Sequence, residues 1–104
     1  MNDLKKTLLN EDLNPLDFHL SQNYPDPAKN ETIIKYCIPY KSSVQLKIFN
    51  EDGDELEVML NEVKNPGTYE ITVSTENYPD GIYLYLLQTE KFSKIKRMTV
   101  LKSN

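Results

Sequence analysis

The chain has 104 residues, 38% of them hydrophobic and 27% charged, which is enough apolar material for one core and one domain. Sixteen acidic side chains against twelve basic ones leave a formal net charge of −4, so no positive field attracts nucleic acid or an anionic membrane surface. A single cysteine, Cys37, excludes an internal disulfide, and nowhere do about 18 apolar residues follow one another to cross a bilayer.

Residues 1–16, MNDLKKTLLNEDLNPL, read as a short N-terminal arm ahead of the main domain, residues 17–104. Leu4, Leu8 and Leu9 fall at helical spacing behind an Asn2 or Asp3 cap, and Leu13 and Leu16 come after them. Two readings stay open: a frayed tail, or an arm that orders against a partner through Leu4, Leu8, Leu9 and Leu13. Charges at Asp3, Lys5, Lys6, Glu11 and Asp12 break every apolar run, whereas a secretory leader needs one of about 7–15 residues. Taken as a natural start, the chain is expected to be cytoplasmic; taken as a piece of a longer exported protein, it is expected at the cell surface or outside.

From Asp17 onward, seven β-rich runs recur about every ten residues, spacing that suits a sandwich or barrel. They are 17–22, 32–38, 43–49, 55–60, 68–73, 81–87 and 92–101. Pro25-Asp26-Pro27, Pro39, Asp52-Gly53-Asp54, Asn65-Pro66-Gly67 and Pro79-Asp80-Gly81 punctuate them with turn chemistry. Side chains on a strand alternate between two faces, so the apolar set of each run marks its buried side. Ile34, Tyr36 and Ile38 oppose Lys35; Val44, Leu46 and Ile48 oppose Gln45 and Lys47. Leu56, Val58 and Leu60 oppose Glu57, while Tyr69, Ile71 and Val73 oppose Glu70 and Thr72. Strands apolar on one side only predict antiparallel sheets with one wet face each. Tyr36, Tyr69, Tyr83 and Tyr85 are expected to fill the core, with their hydroxyls at its rim.

The sixth run departs from this rule. Tyr83, Tyr85 and Leu87 face one way and Ile82, Leu84 and Leu86 the other, so both sides are apolar and the second invites a protein partner. In the last run, Lys94, Lys96 and Arg97, with Lys91 and Lys102 nearby, form a basic strand, while Glu51, Asp52, Asp54, Glu55 and Glu57 make the third hairpin acidic. Such opposed patches either steer docking or protect exposed sheet edges from aggregation.

No constellation for catalysis stands out. His19 is the only histidine and has no cysteine or serine partner at a motif spacing. Asn50 to Glu57 is rich in carboxylates but lacks the register of a calcium loop, and Asp52-Gly53 is a hairpin signal in its own right. The Asn30-Glu31-Thr32 sequon reads as incidental. We therefore expect no enzyme activity, no cofactor and no bound metal.

Several segments in unbroken order carry a resemblance to a known family. Tyr24-Pro25-Asp26-Pro27 precedes the second run; Val44 to Phe49 leads into Asn50 to Gly53; then come Gly67-Thr68-Tyr69, Gly81 to Leu87, and Arg97-Met98 through Lys102. Over residues 18–102 the chain resembles the type A C-terminal sorting domain of the type IX (Por) secretion system of Bacteroidetes, and that family resembles the Ig-like domain of flagellar hook-capping proteins. The resemblance implies an all-β fold, a seven-stranded antiparallel Ig-like β-sandwich. It also implies a domain read by secretion machinery at the carboxy end of an exported cargo protein. Asp26 stands where the family has Asn, Asp54 where Arg is common, and Leu86 where a polar or basic residue is common.

The expected function is thus a non-enzymatic protein–protein interaction module of sorting-domain type, or a stand-alone relative of one. The alternative is a small structural or adaptor subunit of a large bacterial assembly, phage-tail-like or injection-type, docking through its arm and the Ile82/Leu84/Leu86 face. Partner-contacting residues are expected among Leu4, Leu8, Leu9, Leu13, Ile82, Leu84, Leu86, Lys94, Lys96 and Arg97.

Overall fold

A computed structural model describes residues 17–102. The arm leucines Leu4, Leu8, Leu9 and Leu13 lie outside those residues. The described elements are all strands: β1 (His19–Leu20), β2 (Glu31–Ile38), β3 (Ser42–Asn50), β4 (Glu55–Lys64), β5 (Gly67–Ser74), β6 (Gly81–Gln88) and β7 (Ser93–Val100). They form a three-stranded sheet in the order β1-β2-β5 and a four-stranded sheet in the order β4-β3-β6-β7. All pairings within the two sheets are antiparallel. The result is a β-sandwich, as the alternation predicts. β4 lies beside β3, not beside β5 as the fourth strand of a constant-type immunoglobulin domain does.

Period-two burial makes the core. Ile34, Tyr36 and Ile38 of β2 meet Val44, Leu46 and Ile48 of β3 between the sheets, joined by Val73, Tyr83, Tyr85, Leu87, Met98 and Val100. A fully buried aliphatic side chain of this kind contributes about 1.5–3 kcal/mol. Three of the four tyrosine hydroxyls expected at the rim find acceptors there: Tyr69 Oη donates to the Asn65 carbonyl at 2.6 Å, Tyr83 to Pro79 at 2.6 Å, and Tyr85 to Ser21 at 2.7 Å. Tyr36 stacks on Tyr69 with ring centroids 5.3 Å apart.

One strand overturns its expected face assignment. Register shifts in the β3–β4 pair fall between Leu46 and Lys47 and between Ile48 and Phe49. Each extra residue on a bulged strand flips the faces of the residues beyond it. Leu60 therefore sits opposite Leu46 and packs on the core, as expected, but Val58 sits opposite Lys47 on the outer side, and Glu57, expected outside, sits opposite Ile48. Leu56 and Val58 are 45% and 46% exposed, and neither joins the core. Glu57 Oε1 instead accepts a hydrogen bond from Tyr78 Oη at 2.5 Å.

The Pro25-Asp26-Pro27 turn has a structural role. Both X-Pro peptides, Tyr24-Pro25 and Asp26-Pro27, are cis. The Pro25 carbonyl accepts from Asn23 Nδ2 at 3.2 Å and from Thr32 Oγ1 at 2.8 Å, which ties the turn to the start of β2. Beyond it, Ala28 is fully buried and bridges Val100 in parallel, its N–H donating to the Thr99 carbonyl at 2.8 Å and its own carbonyl accepting from Leu101 N–H at 2.9 Å. The chain thus crosses from one sheet to the other and seals the end of β7.

Candidate recognition surface

Cross-strand registers arrange the outer face of the four-stranded sheet in rows. One row runs Asn61, Gln45, Gln88, Ser93; the next Val58, Lys47, Leu86, Ile95; the next Glu55, Phe49, Leu84, Arg97; and Ile82 beside Thr99 closes the face. The first row is polar, and Gln45 Nε2 donates to Asn61 Oδ1 at 3.4 Å. The middle rows hold an apolar patch in which Phe49, Ile82, Leu84 and Leu86 are half-buried and Ile95 is 57% exposed. Lys47 and Arg97 interrupt it, and Lys47 Nζ lies 3.2 Å from Glu55 Oε1. Aliphatic side chains flanked by cations suit a partner surface that is apolar with acidic margins.

The predicted contact residues divide accordingly. Ile82, Leu84, Leu86 and Arg97 share this outer face, whereas Lys94 and Lys96 pair with Leu87 and Tyr85 and so lie on the opposite side of β7. The basic strand is therefore not one patch, because alternate cations on a strand point apart. Phe49, Val58 and Ile95 also belong to the patch, beyond the residues expected from the sequence. Ile95 stands between Lys94 and Lys96, and that alternation is the signal that marks it.

Elsewhere the expected turn chemistry accounts for the acidic hairpin. Gly53 has φ +93°, Asp54 N–H donates to Asn50 Oδ1 at 2.9 Å, and Asn50 Nδ2 donates to Asp54 Oδ2 at 3.1 Å. Among the described residues no group of three or more His, Cys, Asp or Glu side chains is placed to hold a metal ion. His19 faces Cys37 across β1 and β2, and Cys37 Sγ lies 3.6 Å from Thr68 Oγ1. On the three-stranded sheet, Ser21, Gln22, Tyr24, Ile33, Lys35 and Glu70 line a shallow groove of about 360 Å3, with Tyr24 77% exposed. Burial raises the pKa of the inner tyrosines: Tyr85 is pushed up to about 12, and Tyr36, Tyr78 and Tyr83 are raised in the same direction, so all four hydroxyls stay protonated at neutral pH.

An antiparallel sandwich with one apolar sheet face defines the class of domain. The chain belongs to the secretion system C-terminal sorting domain family, the type IX sorting domains, whose family model matches residues 22–101. No curated protein and no solved structure matches the chain. The matched span begins at Gln22, whose side chain donates to the Arg97 carbonyl at 2.6 Å, and ends at Leu101, whose N–H donates to the Ala28 carbonyl. It therefore runs from one side of the β7 seal to the other. Among the described residues no helix is long and apolar enough to cross a membrane.

Proposed function

We propose that this domain is a non-enzymatic recognition module, read by secretion machinery through the outer face of its four-stranded sheet while attached to an exported protein. The observation that carries the reading is the second apolar face of β6. Ile82, Leu84 and Leu86 add nothing to the inter-sheet core, yet with Phe49 and Ile95 they make an apolar band on a domain of the sorting family. Contiguous exposed apolar surface is kept where a partner covers it. The polar row of Asn61, Gln45 and Gln88 at one end and Arg97 and Lys47 within the band supply orientation. The hydroxyls of Tyr69, Tyr83 and Tyr85 are already bonded to main-chain carbonyls and take no part in recognition.

The test fuses the domain to a folded reporter in a host that carries the secretion system. Delivery of the reporter should depend on the domain and be lost in Leu84→Glu, whose side chain lies outside the core. Undiminished delivery of Leu84→Glu would remove this face from recognition.

A further inference from the structure

The four-stranded sheet has two edges of opposite charge. β4, at one edge, carries Glu55, Glu57 and Glu62; β7, at the other, carries Lys94, Lys96 and Arg97. The β7 edge is closed over its second half only. Gln22 Nε2 donates to the Arg97 carbonyl, Thr99 N–H donates to Asp26 Oδ1 at 3.0 Å, and Ala28 N–H donates to the Thr99 carbonyl. Those bonds show that the odd-numbered residues of β7 direct their backbone groups away from β6, so Ile95, ahead of the seal, presents its N–H and C=O at the open edge.

We propose that a second copy of this chain docks its β4 edge against the open half of β7, extending the four-stranded sheet in register. Directions agree: the strands alternate across β4-β3-β6-β7, so the strand that continues the alternation past β7 runs as β4 does. Side chains agree as well. Carrying each existing row across the junction sets Ile95 beside Val58 of the second copy, Lys96 beside its Glu57, and Arg97 beside its Glu55. Ile95 and Val58 are 57% and 46% exposed and would cover one another. The two self-pairings are disfavoured, because β7 on β7 opposes cations and β4 on β4 opposes carboxylates. The contact is head-to-tail, so each added copy leaves another edge open for the next. With only about four or five residues paired, association is weak and sensitive to salt.

Sedimentation velocity on the full chain at rising concentration and low salt, with Ile95→Lys, Val58→Lys and their equimolar mixture, tests this. The wild-type chain should grow in mass with concentration and shrink when salt is added. Each variant should associate at least about tenfold more weakly. The mixture should give a dimer that does not grow, since Ile95→Lys keeps its β4 edge and Val58→Lys keeps its β7 edge. Arg97→Glu, at an exposed position, is a second block of the β7 edge and should replace Ile95→Lys in the mixture with the same result. A wild-type chain that stays monomeric at every concentration would overturn the proposal. So would self-association that survives both β7 variants, or mixtures in which folded variants form no dimer.

Discussion

The two outer faces of the sandwich are both antiparallel and are not alike. On the three-stranded sheet, β2 turns Ile33, Lys35 and Cys37 outward and β5 answers with Thr72, Glu70 and Thr68, so polar partners flank each apolar group. On the four-stranded sheet, β6 turns Ile82, Leu84 and Leu86 outward, and its neighbours add Phe49 and Ile95. A solvated sheet face needs no such band for folding, because the core is complete between the sheets. The difference separates what holds the domain together from what it shows to others.

Within β6 the same contrast can be broken one residue at a time. Leu87, fully buried, should cost about 2–5 kcal/mol when cut to Ala, whereas Leu84→Ala on the half-buried outer side should cost about 1 kcal/mol, both read from urea unfolding midpoints. The next largest effect is alkaline. Tyr85 titrates near 12 in the folded chain because it is buried, against 10.0 for an ordinary tyrosine. A folded-state value above the unfolded one gives stability that is complete below pH 10 and is lost as pH rises towards 12, about 3 kcal/mol for a shift of this size. Tyr36, Tyr78 and Tyr83 push the same way, so unfolding monitored with phenolate absorbance should become steeply easier above pH 10. Tyr85→Phe should flatten part of that dependence.

Gly53→Ala forces a side chain into the left-handed region at φ +93° and should cost about 1–2 kcal/mol, with the hairpin otherwise intact. Lys47→Ala removes the 3.2 Å pair with Glu55 on the outer face, and thermal unfolding should register about 0.5 kcal/mol or less.

The inner surface is legible in the sequence wherever period two is unbroken. β2, β3, β5 and β6 place every predicted core residue inward, since alternation on an unbulged strand is a local property. β4 defeats that local reading because its two register shifts arise from pairing with β3, and Leu56 and Val58 look like inward residues until that pairing exists. The prolines announce a turn, but nothing local says that Ala28 will pair with Val100, a contact between distant parts of the chain. On the candidate site, the double-sided apolarity of β6 is visible directly. Its extension through Phe49 and Val58 depends on strand order, which sets β3 beside β6 although β4 and β5 lie between them in sequence, whereas Ile95 comes from the following strand and is marked by its alternation with Lys94 and Lys96.

The two faces of β6 serve different ends, and equilibrium denaturation of Leu84→Glu beside Leu87→Glu separates them. Leu84→Glu should fold with a stability within about 1 kcal/mol of the parent, while Leu87→Glu, with a carboxylate forced among Leu46, Val44 and Tyr85, should fail to fold. Equal loss of folding in both variants would contradict that division.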